Sequence, residues 1–367
     1  MRAMEGVGMT VFSDIYRGTS VLLTGHTGFK GTWLALWLKT LGADVTGVSL
    51  EPNSKPSHWD LLGLDMIDER IDIRNAEKIK EAINIAKPKI VFHLAAQPLV
   101  RHSYSDPLGT WSTNVMGTAN LLEACRQQPS VRAVIIVTTD KCYENKEWSW
   151  GYRETDRLGG HDPYSASKAS AELAVASYRK AFFNTPDSPL LASVRAGNVI
   201  GGGDWSEDRL IPDMVRAIKD NKTLEIRSPN ATRPWQHVLE SLSGYLLLGQ
   251  NLLQGKQDFG QAWNFGPPRD GNRSVVDVLS SMKKEWPVLD WKITRSPQPH
   301  EANLLYLDSS KAHQYLGWEP VWSIDESITA TAAWYRTLLE QNKVISGAQL
   351  ADYIKKAQSA GVKWSIN

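Results

Sequence analysis

The chain has 367 residues, 42% apolar and 22% charged, with 41 Lys+Arg against 40 Asp+Glu for a net charge of +1. The length suits two lobes or one enlarged domain, and the balanced charge argues against a nucleic-acid or membrane-surface partner. Only Cys125 and Cys142 are present, which argues against a disulfide-stapled fold or a Cys-rich zinc site, and no apolar run approaches the roughly 20 residues of a spanning helix.

The N-terminal stretch MRAMEGVGMTVFSDIYRG is broken by Glu5, Asp14 and glycines. It lacks the apolar core of a signal peptide, part of it reads as an expression extension, and the expectation is a cytoplasmic protein with no membrane partner. Ser20–Thr24 (SVLLT) is a predicted strand. Trp33–Leu41 carries Leu34, Leu38 and Leu41 at helical spacing, and Val45–Leu50 is the next strand. A third strand ends before Asp72. Lys89–Leu94 is strand-like, Asn114–Arg126 is a helix, Ala133–Thr138 (AVIIVT) is a buried strand, Tyr164–Phe182 is a long helix, and Leu190–Arg195 is a strand. Repeated β-α units with unalternating apolar strands predict an α/β fold, a doubly wound parallel sheet of Rossmann type.

Beyond Arg195 the rhythm is broken by Gly201–Gly203 and by Pro212, Pro229 and Pro234. His237–Leu253 reads as a further helix, Gln261–Phe265 as a strand and Gly266–Arg273 as a loop. A helix follows from Ser274, then a strand near Trp291–Thr294 and helices near Ser309–Leu316 and Ile324–Gln341. The expected division is a dinucleotide-binding domain of residues 1–196 plus 237–265 and a smaller α/β substrate lobe of 197–236 plus 266–367, with the ligand between them.

Gly25-His26-Thr27-Gly28-Phe29-Lys30-Gly31 follows the first strand and opens the first helix. A glycine-rich turn there lets helix N–H groups approach a pyrophosphate. His26 and Lys30 are either phosphate contacts or solvated loop residues. Glu51, just past the second strand, is a candidate for ribose hydroxyls, which favours NAD over NADP. Asp72 and Ile73 are candidates to bond and cover an adenine.

Tyr164-Ser165-Ala166-Ser167-Lys168 sets a tyrosine and a lysine four residues apart on one helix face. A tyrosine with a pKa of about 10 is a poor base at neutral pH, and a lysine cation beside it stabilises the phenolate. The pair suits removal of an alcohol proton during oxidation. The strand Ala133–Thr138 ends in Thr139-Asp140-Lys141, at the edge where doubly wound folds build their sites.

GHTGFKG, HLAAQ (His93–Gln97), NVMGT (Asn114–Thr118), Thr139 and YSASK together resemble the extended short-chain dehydrogenases/reductases over nearly the whole chain, Thr24 to about Tyr335. TTDKCYEN (Thr138–Asn145) is similar to the nucleotide-sugar 4,6-dehydratases of that superfamily, with Lys141 where most carry a glutamate. Lys141, GHTGFKG and RPWQHVLE (Arg233–Glu240) resemble the branch acting on CDP-D-glucose.

The resemblance implies bound NAD and an internal redox cycle on the sugar, yielding a 4-keto-6-deoxy product. Tyr164 takes the 4-hydroxyl proton with Lys168 in support, Thr139 orients that hydroxyl, and Asp140 is the acid for loss of the 6-hydroxyl. Lys141 is either the base at C5 or a cation holding the enolate; the family glutamate favours the base. Leu94, Ala95 and Ala96 join the glycine loop around the cofactor. Asn198, Arg209, Leu210 with Ile211, and Arg233 are implied on the nucleotide. Trp205 and Trp235 are core residues or stacking surfaces. Pro299-His300-Glu301 departs from the usual basic stretch and carries no role. Relatives pair the helices around Leu121–Arg126 and Tyr164–Phe182 across dimers, so a homodimer or homotetramer is expected. The competing readings are a 4-epimerase or reductase on the same scaffold and a non-catalytic NAD binder.

Overall fold

Strands form where the chain supplies short apolar runs. Ala133–Val137 (AVIIV) is buried at every position, as a strand covered on both faces must be. The computed structural model describes residues 11–294 and 304–366. Pro299–Glu301 and residues 1–10 lie outside the described residues. The main sheet comprises β1 (Ser20–Thr24), β2 (Asp44–Ser49), β3 (Ile67–Arg70), β4 (Ile90–His93), β5 (Ala133–Val137), β6 (Leu190–Ala196) and β7 (Ala262–Phe265). The seven strands are ordered β7-β6-β5-β4-β1-β2-β3. All pairings are parallel: Val21 lies opposite Val45 on one side and Ile90 on the other. The order reverses between β1 and β4, so the connections leaving these two strands diverge and open a crevice at their carboxyl ends. Thr24 and His93 end those strands, and Thr24 Oγ1 lies 2.7 Å from His93 Nδ1.

The predicted elements of the first half are all present, with ends shifted by a few residues. The first helix, Phe29–Thr40, begins earlier than the apolar spacing suggested because the glycine loop itself turns into it. Ahead of Gly117–Gln127 runs a π-helical turn, Ser112–Met116, in place of regular helix. The predicted loop Gly266–Arg273 contains a short turn of helix, Arg269–Gly271, and its end joins the strand Asn272–Ser274, which pairs antiparallel with Thr232–Pro234.

Unforeseen was the helix Ser346–Ser359. It explains why Phe29–Thr40 is buried on nearly all sides. The ring of Tyr353 lies 5.7 Å from Trp37, Trp364 lies 5.6 Å from Trp37, and Phe12 stacks on Trp364 at 5.0 Å. The C-terminal segment thus packs on the first helix of the sheet, although the sequence division put it with the substrate lobe. One apolar cluster runs from Val21 to Trp364 across both proposed lobes.

The run Gly201–Gly203 lies against this core. Trp33 Nε1 donates to the Gly202 carbonyl at 2.9 Å, and a Cβ on Gly202 would fall 1.9 Å from Cγ of Trp334. Among the described residues no helix is long and apolar enough to cross a membrane.

Candidate active site

A cavity of about 1830 Å³ runs along the carboxyl ends of the strands. One end is built by the glycine loop. Gly28 caps the helix Phe29–Thr40 without a side-chain hydrogen bond, so no capping side chain occupies the N-terminal amides. A Cβ on Gly31 would lie 2.0 Å from the Gly25 carbonyl oxygen, so only glycine lets the loop fold this tightly. Gly25, Gly28, Phe29, Lys30 and Gly31 line the cavity, as do Asp72, Ile73, Leu94, Ala95 and Ala96. An uncapped helix N-terminus behind a glycine cradle fits a dinucleotide pyrophosphate. Asp72 is held by Arg74, whose Nη2 lies 2.6 Å away and whose side-chain hydrogen bonds lower the carboxyl pKa. Glu51 also lines the cavity and pairs with Arg70.

The expected phosphate contact by His26 is corrected. Its imidazole is fully buried, away from the cavity lining. Nε2 lies 2.7 Å from Asp68 Oδ1, and the ring meets Trp59 edge-on at 4.6 Å. Gly47 leaves it room, since a Cβ there would lie 2.5 Å from Nδ1. Lys30 does face the cavity. Its Nζ donates to Tyr245 Oη at 3.3 Å. Burial, then the charge of Arg209, brings its pKa down to about 7; Asp140 pulls the other way and Lys168 adds to the lowering. Lys30 thus lies among Asp140, Lys168 and Arg209.

At the other end, β5 delivers Thr139, Asp140 and Lys141. Thr139 caps the turn Asp140–Cys142: the Lys141 amide donates to Thr139 Oγ1 at 3.3 Å, and that hydroxyl donates to Asp140 Oδ1 at 3.0 Å. Asp140 is 2% exposed and its Oδ2 has no hydrogen-bond partner. Burial raises its pKa, against the lowering pull of Lys141, the Thr139 bond and Arg233. Tyr164 enters from the helix Pro163–Ala181, whose first turn is fixed by Asp162 accepting from the Ser165 amide and by Ser103 accepting from the Tyr164 amide. Burial pushes the phenol up to about 12, opposed by a bond to Thr139 and by the charge of Arg209. Lys168 Nζ donates to the Val137 carbonyl at 3.2 Å. Burial brings that ammonium down to about 8, with Glu172 resisting.

The structure therefore brings Thr139, Asp140, Lys141, Tyr164 and Lys168 to one cavity wall. Asn198, Arg209, Leu210, Ile211 and Arg233 line the same cavity, with Arg209 close enough to act on Tyr164 and Arg233 on Asp140. Arg209 lies 3.5 Å from Asp204, and Arg233 Nη1 donates to the Thr232 carbonyl. Trp205 and Trp235 both line the cavity, but Trp235 is 4% exposed and donates to the Arg273 carbonyl, as a packed residue does. Sequence reasoning missed two features. Asp208 lies 3.1 Å from both Arg101 and Arg227 at the cavity rim, a pairing of distant segments with no local signal. Glu172, which pairs with Arg195 beneath the catalytic turn, follows Lys168 by one helical turn, and that spacing could have disclosed it.

Residues 22–331 match the GDP-mannose 4,6 dehydratase family. The chain belongs to this family. A CDP-glucose 4,6-dehydratase of Salmonella typhimurium is 46% identical over 93% of this chain and 98% of the relative. A solved epimerase of Methanothermobacter thermautotrophicus superposes with a TM-score of 0.80 at 22% identity, covering 90% of this chain and 96% of that one. A dTDP-glucose 4,6-dehydratase of Streptomyces venezuelae, with NAD and TYD bound, gives 0.72 at 24% identity over 86% of this chain and 96% of that one. The fold alone is thus common to dehydratases and epimerases, and within the dehydratase family the chemistry of the turn after β5 has to separate them.

Proposed function

We propose that this member of the GDP-mannose 4,6 dehydratase family converts CDP-D-glucose to CDP-4-keto-6-deoxyglucose with NAD as a resident cofactor. The substrate follows the relative at 46% identity. The observation that carries the reaction class is Asp140: a buried carboxyl with a raised pKa and an unpartnered Oδ2, in contact with Thr139. Inversion at C4 asks for no second acid. Expulsion of a hydroxyl does, and a protonated carboxyl with a free oxygen suits it.

Bound NAD supplies a reversible two-electron oxidant, borrowed at C4 and given back at C6. The glycine loop with Gly25, Gly28, Phe29 and Gly31 would hold its pyrophosphate end, Asp72 and Ile73 its adenosine, and Leu94, Ala95, Ala96, Tyr164 and Lys168 its reactive end, with the Lys30 ammonium turned toward Tyr245 and Asp140. Tyr164 accepts the proton of the 4-hydroxyl. A phenol at about 12 needs positive charge beside it; Arg209 supplies some, and Lys168 lies one helical turn from Tyr164 on the same helix. Thr139 orients that hydroxyl. The resulting 4-ketone acidifies the C5 proton, which Lys141 removes as a neutral amine; Asp140 protonates the departing 6-hydroxyl, which leaves as water, and once C6 is reduced Lys141 gives a solvent-exchanged proton back to C5. Asn198, Arg209, Leu210 and Arg233 hold the nucleotide, the arginines as forked donors to its diphosphate. The two-lobe division at 1–196 plus 237–265 and 197–236 plus 266–367 serves this reading, with the cavity between the lobes. A homodimer or homotetramer belongs to it as well, supported by exposed Leu108, Met116 and Leu173 on neighbouring helices.

The test is incubation with CDP-, dTDP- and UDP-glucose and NAD in deuterated water. A 4-keto-6-deoxy product from CDP-glucose with deuterium at C5 is expected. A C4-inverted sugar that has lost no water would overturn the reading in favour of an epimerase.

A further inference from the structure

Beneath the turn after β5 lies a charged pair that does not itself line the cavity but bonds two residues that do, Thr138 and Tyr143. Glu172 and Arg195 are each 3% exposed. Arg195 Nε and Nη2 donate to the two Glu172 oxygens at 3.0 and 2.8 Å. The same carboxylate accepts from Thr138 Oγ1 at 2.5 Å and Ser193 Oγ at 2.8 Å. Arg195 Nη1 donates to Tyr143 Oη at 2.7 Å and to the Glu154 carbonyl at 3.3 Å. Tyr143 Oη donates in turn to Asn264 Oδ1 at 2.8 Å, on β7.

Thr138 immediately precedes Thr139-Asp140-Lys141, and Tyr143 follows it by two residues. We propose that Glu172 and Arg195 are positioning residues for the reaction: through Thr138 and Tyr143 they pin both ends of the catalytic turn, and Glu172, one helical turn from Lys168, stands as its counter-charge. The inference rests on the functional reading given above, since it takes the turn to carry the acid and the base.

A buried pair is costly to desolvate and is retained to advantage when its geometry is fully satisfied. Here both carboxylate oxygens and three guanidinium nitrogens are engaged. A nonpolar filling would suffice to pack the space, but it would not fix Thr138 and Tyr143 relative to one helix. That helix also carries Tyr164 and Lys168. Glu172 lies one turn beyond Lys168, which lies one turn beyond Tyr164, so base, cation and counter-charge follow along one face. Other groups bear on the pair: Cys142 on the turn, Arg179 further along the helix, and Glu154 and Lys311 from the far side of Arg195. Cys142 is held as a neutral thiol by burial, and Arg179 is a cation whose charge Glu172 offsets. Glu172 is thus the carboxylate among these groups that faces Lys168, and its loss lowers the lysine pKa.

The test uses the full chain with Glu172→Gln, Glu172→Asp and Thr138→Val, each checked by circular dichroism. Hydrogen exchange by mass spectrometry reads the turn without substrate. In Glu172→Gln the peptide spanning 138–143 is expected to exchange about tenfold faster or more, while Ala133–Val137 stays protected. Turnover of CDP-glucose is expected to fall about tenfold or more in kcat with KM within about threefold, the signature of a lost transition-state arrangement. The alkaline limb of kcat is expected to move down by about half a pH unit or more, since Lys168 loses its counter-charge, and Glu172→Asp restores that limb. Thr138→Val, which keeps the ion pair, loosens the turn without moving the limb and serves if Glu172→Gln does not fold. Unchanged exchange of 138–143 in folded Glu172→Gln or Thr138→Val overturns the pinning. An unmoved alkaline limb in Glu172→Gln overturns the charge role. A wild-type protein that leaves CDP-glucose intact refutes the functional reading instead, while the exchange measurement still decides the positioning one.

Discussion

Replacing Asp140 by Asn changes one proton donor and little else. Asn keeps the volume and an Oδ1 that accepts from Thr139 at the observed 3.0 Å, so the turn after β5 keeps its shape. What disappears is the acidic proton at Oδ2, the oxygen without a partner in the buried site. General acid catalysis is worth about 10²–10⁴-fold, so kcat should drop by that factor, equivalent to about 2.7–5.5 kcal/mol of barrier. Oxidation at C4 does not use this acid, so bound 4-keto-hexose retaining its 6-hydroxyl should build up. Rapid quench with mass analysis of the sugar nucleotide reads both. Stability should move the other way. Burial raises the Asp140 pKa in the folded state above its unfolded value, so ionisation subtracts stability as pH rises, and a neutral Asn removes that loss. The melting temperature at neutral pH should therefore be equal or higher. Turnover within about tenfold of wild type would refute the acid role, because a carboxamide cannot supply the proton that the departing hydroxyl needs.

Tyr164→Phe should lose about 10²–10⁴-fold in turnover while the far-ultraviolet spectrum and NAD binding, read by fluorescence quenching, are retained. Gly202→Ala should cost about 1–3 kcal/mol or more in urea denaturation, since the new methyl group meets the Trp334 ring at 1.9 Å before relaxation. Glu240 is 1% exposed, accepts from the Val321 and Trp322 amides and the Tyr353 hydroxyl, and is raised by burial to about 7 from 4.5. The folded state keeps a proton that the unfolded chain has released across that window. Stability should therefore fall by roughly 3 kcal/mol as pH rises through it, and denaturation of Glu240→Gln at several pH values should show that slope removed.

The grouping proposed as the catalytic wall was legible because its pattern is local. Tyr164 and Lys168 sit a helical turn apart, and Thr139-Asp140-Lys141 ends a strand whose five apolar residues announce it. The parallel sheet was equally plain from its unalternating strands. His26 was misjudged because its loop position says nothing of side-chain direction, which the space left by Gly47 and the ring of Trp59 decides. The helix Ser346–Ser359 escaped notice because its pattern, SGAQLADYIKKAQS, has few large apolar residues; its place is fixed by Tyr353 and Trp364 packing on Trp37. Lys30 lay in a motif associated with phosphate, yet its length carries the ammonium to Tyr245 and the catalytic cluster. Contacts between segments far apart in sequence leave no periodic trace in either.

The glycine run at 201–203 is filled on one side by Trp33 and on another by His58 and Trp334, so a stretch of chain that composition alone would call pliant is held fast. Backbone torsion there cannot open or shut the cavity. Above that floor, Asp208 with Arg101 and Arg227 presents partly exposed charged side chains at the edge of the same cavity. Such a molecule would take up its ligand by rearranging a few charged tips over an unyielding base, with little cost in ordering the polypeptide itself.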